Sequence, residues 1–176
     1  MDEARLQHTE TGLAAISDGW FVVNVREAAW MHNERFGAAC IFEDAAAMFA
    51  QVGYTIAVLE PGQPNGLYHH EGDQEDFLIL SGECLALVEG EERPMRAWDF
   101  LHCPDGTDHI FVGTGKGPCV IFMAGGRAHR GSAEYPRSQL ALRHGAGSES
   151  DMGSSDDPYA PFPKWRPGPG PGGVPL

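Results

Sequence analysis

The sequence predicts an all-β fold, an antiparallel sandwich or barrel of short strands. Between Gly53 and Gly125, short apolar runs alternate with turn residues such as Pro-Gly, Ser-Gly and Thr-Gly-Lys-Gly. No stretch of that region is long enough to supply the crossover helices that a parallel sheet needs. At 176 residues the chain has room for one domain of ordinary size, with a core large enough to fold without disulfides.

Taken in order, "GWFVVNV" reads as a first strand, rich in β-branched and aromatic residues. The stretch "EDAAAMFAQV", Glu43 to Val52, admits one short helix, because its alanines favour one, or equally a loop. The strands proper follow in "GYTIAVLEPGQPNG", "EDFLILSGE", "CLALVEGEERP", "MRAWDFLHCPDG", "TDHIFVGTGKG" and "PCVIFMAGG". Phe77, Ile79, Leu87, Phe100, Phe111, Val120 and Phe122 are the candidates for the lining and core. Gly82 and Gly106 stand where tight turns need positive φ or close packing.

After about His144 the chain turns to Gly, Ser and Pro, a composition that buries too little to offset its ordering entropy and favours extended or disordered chain. Its aromatic island, "PYAPFPKW", interleaves Tyr159, Phe162 and Trp165 with prolines. Such a segment suits an extended strap across an apolar groove, and equally a loose terminus. The expected organisation is an N-terminal extension (1–52) packing on a barrel core (53–125), a closing segment (126–143) and a Pro/Gly/Ser-rich tail (144–176).

Formal charge is −13, most of it before residue 131. Such a surface repels nucleic acid and anionic lipid, yet leaves room for a small anionic substrate in a pocket with its own local field. The chain opens on "MDEARLQHTE", with acids in place of a basic leader, and no apolar run approaches the ~18 residues of a membrane span. A soluble, cytoplasmic protein is the expectation. Cys40, Cys84, Cys103 and Cys119 form no Cys-x-x-Cys pair and read as buried free thiols.

The segment "NGLYHHEGDQEDFLILSGE" concentrates two histidines and several acids just before an apolar run. It is either a solvated turn or a metal-binding hairpin. Side chains alternate faces along a strand, so His69 and His70 cannot both point into a barrel if the backbone there is regular.

Two spacings here resemble those of the cupins, a family of small jelly-roll barrels. Gly62, five residues, Tyr68-His69-His70, four residues, Glu75, six residues and Gly82 fit the family's first motif, with Tyr68 in the place of its first histidine. "WDFLHCPDGTDHIFVG" is similar to the second, with Pro104, Gly106 and His109 in place while Trp98 and Gly113 replace its first Gly and last Asn.

The resemblance implies a metal site that threads in two ways. In one, Tyr68, His70, Glu75 and His109 converge; in the other, shifted by one residue, His69, Glu71, Glu75 and His109 do. "YHHEGDQEDF" also resembles a bacterial subgroup of cupins that reads Tyr-His-x-Glu here, which favours the second threading. Either set offers imidazole and carboxylate to a divalent iron, manganese or zinc ion with open coordination positions. His102 is either a pocket residue or a partly exposed strand residue. The implied function is metal-dependent oxygenase- or isomerase-type chemistry on a small polar molecule. A non-catalytic binding or sensing barrel is the alternative. The resemblance also implies a homodimer.

Overall fold

The computed structural model describes residues 1–43 and 47–172, and its architecture is almost entirely β. Twelve strands run in chain order: β1 (Leu6–His8), β2 (Leu13–Ala15), β3 (Ala29–Asn33), β4 (Gly37–Ile41), β5 (Val52–Leu59), β6 (Glu75–Ser81), β7 (Glu83–Val88), β8 (Glu91–Arg96), β9 (Phe100–Cys103), β10 (His109–Thr114), β11 (Cys119–Gly126) and β12 (Arg166–Gly168). One short helix, α1 (Gln139–Arg143), interrupts them. Among the described residues no helix is long and apolar enough to cross a membrane.

The large sheet has the order β12-β3-β4-β5-β11-β6-β9, and the small one β10-β7-β8. Every pairing within both is antiparallel. The alternation in β6 shows how they close on each other. Phe77 and Ile79 are buried while Asp76, Leu78 and Leu80 between them are only partly so. The buried set meets Phe111 of β10, Cys84 and Ala86 of β7 and Ile121 of β11 in the barrel interior. Burying each of these larger side chains contributes about 1.5–3 kcal/mol.

Two further clusters cover the outer faces. Trp30, Cys40, Ile56, Val58 and Val120 lie outside the large sheet under Val23 and Val25. Tyr68, Leu87, Ile110 and Val112 lie outside the small sheet, packed by Ala141 of α1 and by Ala146. The helix is anchored by Ser138, whose side chain accepts the Ala141 N–H.

Several expectations are corrected. "GWFVVNV" is not a strand: only Trp20 makes a bridge, to Glu3. The run crosses the face of the large sheet and docks by side chains, with the Trp30 indole N–H donating to the Val25 carbonyl at 2.8 Å. Of Glu43 to Val52, residues 44–46 lie outside the described residues, 47–51 are bends and irregular chain, and Val52 already begins β5. Phe100 is 62% exposed, not core, because it sits on the outer face of the edge strand β9. All four cysteines are buried and unpaired.

The described part of the tail packs against the body. Tyr159 and Phe162 meet Phe36 edge-on, with ring centroids 5.4 and 5.2 Å from it. The Asn33 side-chain amide donates to the Pro163 carbonyl at 2.7 Å, and β12 pairs with β3. Phe36 is thereby buried to 1% exposure. The aromatic island supplies the apolar area that the Gly/Pro composition around it lacks.

Candidate metal centre

The site begins with a backbone pairing. His69 and His109 exchange N–H to C=O hydrogen bonds at 3.2 and 2.8 Å, the geometry of directly opposed residues in an antiparallel ladder. Directly opposed residues put their side chains on one face, and the two imidazole centroids are 5.0 Å apart. Glu75, the first residue of β6, reaches the same point from the large sheet: its Oε2 is 3.2 Å from His109 Nε2. One ligand atom from each of His69, Glu75 and His109 lies within 4.8 Å of the others.

The rings are held from behind. His69 Nδ1 lies 2.8 Å from the Leu67 carbonyl oxygen and His109 Nδ1 2.9 Å from that of Thr107. A carbonyl only accepts, so in each ring Nδ1 carries a proton and donates it. That assignment leaves Nε2 to face Glu75, and it is the outer-shell arrangement that orients metal-binding histidines. Phe77 packs 5.0 Å from His109 and Tyr135 stacks 5.6 Å from His69 at 25°.

The three groups titrate as one coupled set. Burial and the charge of His109 push His69 down to about 4, so its ring is neutral and its Nε2 lone pair free at neutral pH. Burial pushes His109 down too, but the hydrogen bond and charge of Glu75 outweigh it and hold it above its ordinary value. Glu75 answers in kind: burial raises it, and the bond and charge of His109 hold it below the usual carboxylate range. His109 and Glu75 therefore stabilise each other's charged forms. Two imidazoles and one carboxylate are a donor set that iron, manganese and zinc all accept.

The other predicted site residues are placed elsewhere. Tyr68 is buried on the outer face of the small sheet, where its hydroxyl accepts the Gly90 N–H at 3.0 Å. His70 points away from His69: its Nδ1 is 2.6 Å from Asp108 and its Nε2 3.6 Å from Glu134. The threading through Tyr68 and His70 is thus not the one the fold brings together, because His69 holds the position opposite His109. Glu71 falls outside the group of three. It lines a cavity with Glu75, and burial together with the Glu75 charge raises it above the usual carboxylate range. His102 is on the outer surface, 2.6 Å from Asp76.

Sequence reasoning missed Tyr135 and the link to Tyr159, whose hydroxyl accepts the Leu67 N–H at 3.1 Å. Both tyrosines come from segments read as closing chain and tail. The aromatic island signalled Tyr159 alone, and nothing in the sequence marked Tyr135. The loop between the two ligand strands is also stitched from afar: Gly72 N–H donates to Ser132 and His129 N–H to Asp73, at 2.7 and 2.6 Å.

Residues 55–125 match the cupin domain family. These residues form most of the two-sheet barrel, whose fold is of the cupin jelly-roll type. The chain is 36% identical over 58 residues to an oxalate-binding protein of Thermotoga maritima, a match covering 33% of this chain. It spans about half (48%) of the length of that curated relative. Among solved structures, KdgF from Halomonas sp. superposes with a TM-score of 0.52 at 22% identity, over 62% of this chain and 96% of that one. The polyketide cyclase RemF from Streptomyces resistomycificus gives 0.53 at 13% identity, over 61% and 80%. At those identities the two structures speak for the fold alone.

Proposed function

We propose that His69, Glu75 and His109 hold one divalent iron, manganese or zinc ion and that the barrel uses it to bind and transform a small polar molecule. The observation that carries this reading is the convergence of three donor atoms within 4.8 Å, two of them on rings fixed through Nδ1. A bound metal would supply Lewis acidity or a site for oxygen activation, the basis of isomerase- or oxygenase-type chemistry. The chain's own residues fix the imidazoles, keep His69 neutral and leave Glu71 beside the site, where its carboxyl lines the same cavity as Glu75.

A second reading, a barrel that binds its ligand without transforming it, is supported by the likeness to a protein named for binding oxalate. The charge of −13 supports the absence of nucleic-acid or membrane partners. Exposed Trp98 and Phe100 at β9 support self-association as a homodimer.

The test is metal content by elemental mass spectrometry on untagged protein, with His69→Ala, His70→Ala and His109→Ala variants. Close to one metal per chain in the wild type and in His70→Ala, and loss in the other two, is the expected result. A wild type that stays empty after incubation with all three metals overturns the reading. Oxygen uptake or substrate turnover by the loaded protein then separates enzyme from binding barrel.

A further inference from the structure

A cavity of about 280 Å³ opens beside Glu75. Glu71, Glu75, Met123, the glycines of the β11 terminus, Arg127 and Arg130 are among the residues that line it. It is at the small end of ligand cavities, with room for a compact molecule.

The two cations are not equivalent. Arg127 is fully engaged: Nη1 donates to Glu43 and to the Phe49 carbonyl, each at 3.0 Å, and Nη2 donates to the second Glu43 oxygen. It lies flat against Gly53, where a Cβ would stand 2.6 Å from its Nε. Its charge is already spent on structure. Arg130 is exposed and pairs with no carboxylate among the described residues; its only polar neighbour there is Met48 Sδ, 3.5 Å from Nη1. A guanidinium that lines a cavity with no carboxylate partner among the described residues stands out in a chain of net charge −13.

We propose that the ligand of this site is a small carboxylate and that Arg130 receives its carboxylate group. The planar fork of a guanidinium matches a carboxylate with two parallel hydrogen bonds. One such cation suits one carboxylate better than a phosphate, whose second charge calls for further donors. Glu71 and Glu75, which line the same cavity, repel any anion, so the ligand enters only when a metal ion has neutralised them. The inference rests on the metal reading above and names the ligand class for the same site.

The test is calorimetric titration of malonate, malonamide and inorganic phosphate into manganese-loaded wild type, Arg130→Ala and Arg130→Lys, with metal content measured on each sample. Charge-assisted hydrogen bonds of this kind predict that Arg130→Ala weakens malonate binding at least about tenfold. Arg130→Lys falls between the two, metal content is unchanged, and metal-free protein does not bind malonate. Equal affinity in Arg130→Ala at full metal content overturns this inference alone, as does malonamide or phosphate binding as tightly as malonate. A wild type that takes up no metal overturns the metal reading, and this inference with it.

Discussion

The peptide unit of Leu67 joins Tyr159 to His69: its N–H donates to the Tyr159 hydroxyl at 3.1 Å, and its carbonyl accepts from His69 Nδ1 at 2.8 Å. A side chain from the Pro-rich tail thereby steadies the carbonyl that orients a candidate ligand ring. Gly66 leaves the space, since a Cβ there would lie 2.9 Å from the same hydroxyl.

Tyr159→Phe removes the acceptor and leaves the Leu67 N–H unpaired in a largely buried setting. We expect a loss of about 1–2 kcal/mol in urea unfolding. Metal affinity should drop by roughly tenfold, at the low end of what outer-shell changes produce. Unchanged affinity in a competition titration against a chelator would show that the tail does not act on the site.

Acid should destabilise the metal-free protein over a defined window. His69 is held down to about 4, so below its ordinary value of 6.5 the unfolded chain binds a proton that the folded one refuses. The His69 contribution therefore falls as pH drops from 6.5 toward 4, by up to roughly 3 kcal/mol, offset in part by Glu71, whose raised carboxyl takes up its proton in the folded chain first. His109, raised, makes its contribution in full below 6.5 and adds no slope in that window. Glu75, lowered, begins to lose its contribution only as pH drops below about 4.5, its ordinary value. Urea midpoints across this range should decline in the wild type and flatten in His69→Ala.

The native thiols of Cys40 and Cys103 should be inert. Burial pushes Cys40 and Cys103 up to about 12, so at pH 8 neither offers an appreciable thiolate. Reaction of these two with a thiol reagent should be negligible in native buffer and complete after denaturation. Rapid labelling of either residue in native protein would mean that the barrel opens readily.

Trp98 has φ of +74° and is 77% exposed. A side chain in the left-handed region costs about 1–2 kcal/mol, part of which glycine returns through its more flexible unfolded state. Trp98→Gly should stabilise the fold by about 0.5–1 kcal/mol, read from the urea midpoint. A loss of stability would mean that the indole packs more firmly than its exposure indicates.

Much of this molecule is legible in its sequence. Short apolar runs between turn residues determine an antiparallel barrel, because period-two alternation buries one face of each strand. Gly82 and Gly106 do adopt positive φ, at 76° and 74°. Motif spacing also marks Glu75 and His109 as partners, though they belong to different sheets.

What spacing could not decide is which of two adjacent histidines faces inward. A one-residue slip reverses every side chain, and only the pairing of His69 with His109 fixes the register that sends His69 in and His70 and Tyr68 out. The tail is the second such case. Its composition argues for loose chain, but Tyr159 and Phe162 find Phe36 across more than a hundred residues, and that burial exists only once β3 and β4 have formed. Arg130 is the third. Sequence shows a cation in an acidic chain, and only the fold shows that Glu43 engages its neighbour Arg127 while Arg130 lines the cavity with no carboxylate partner among the described residues.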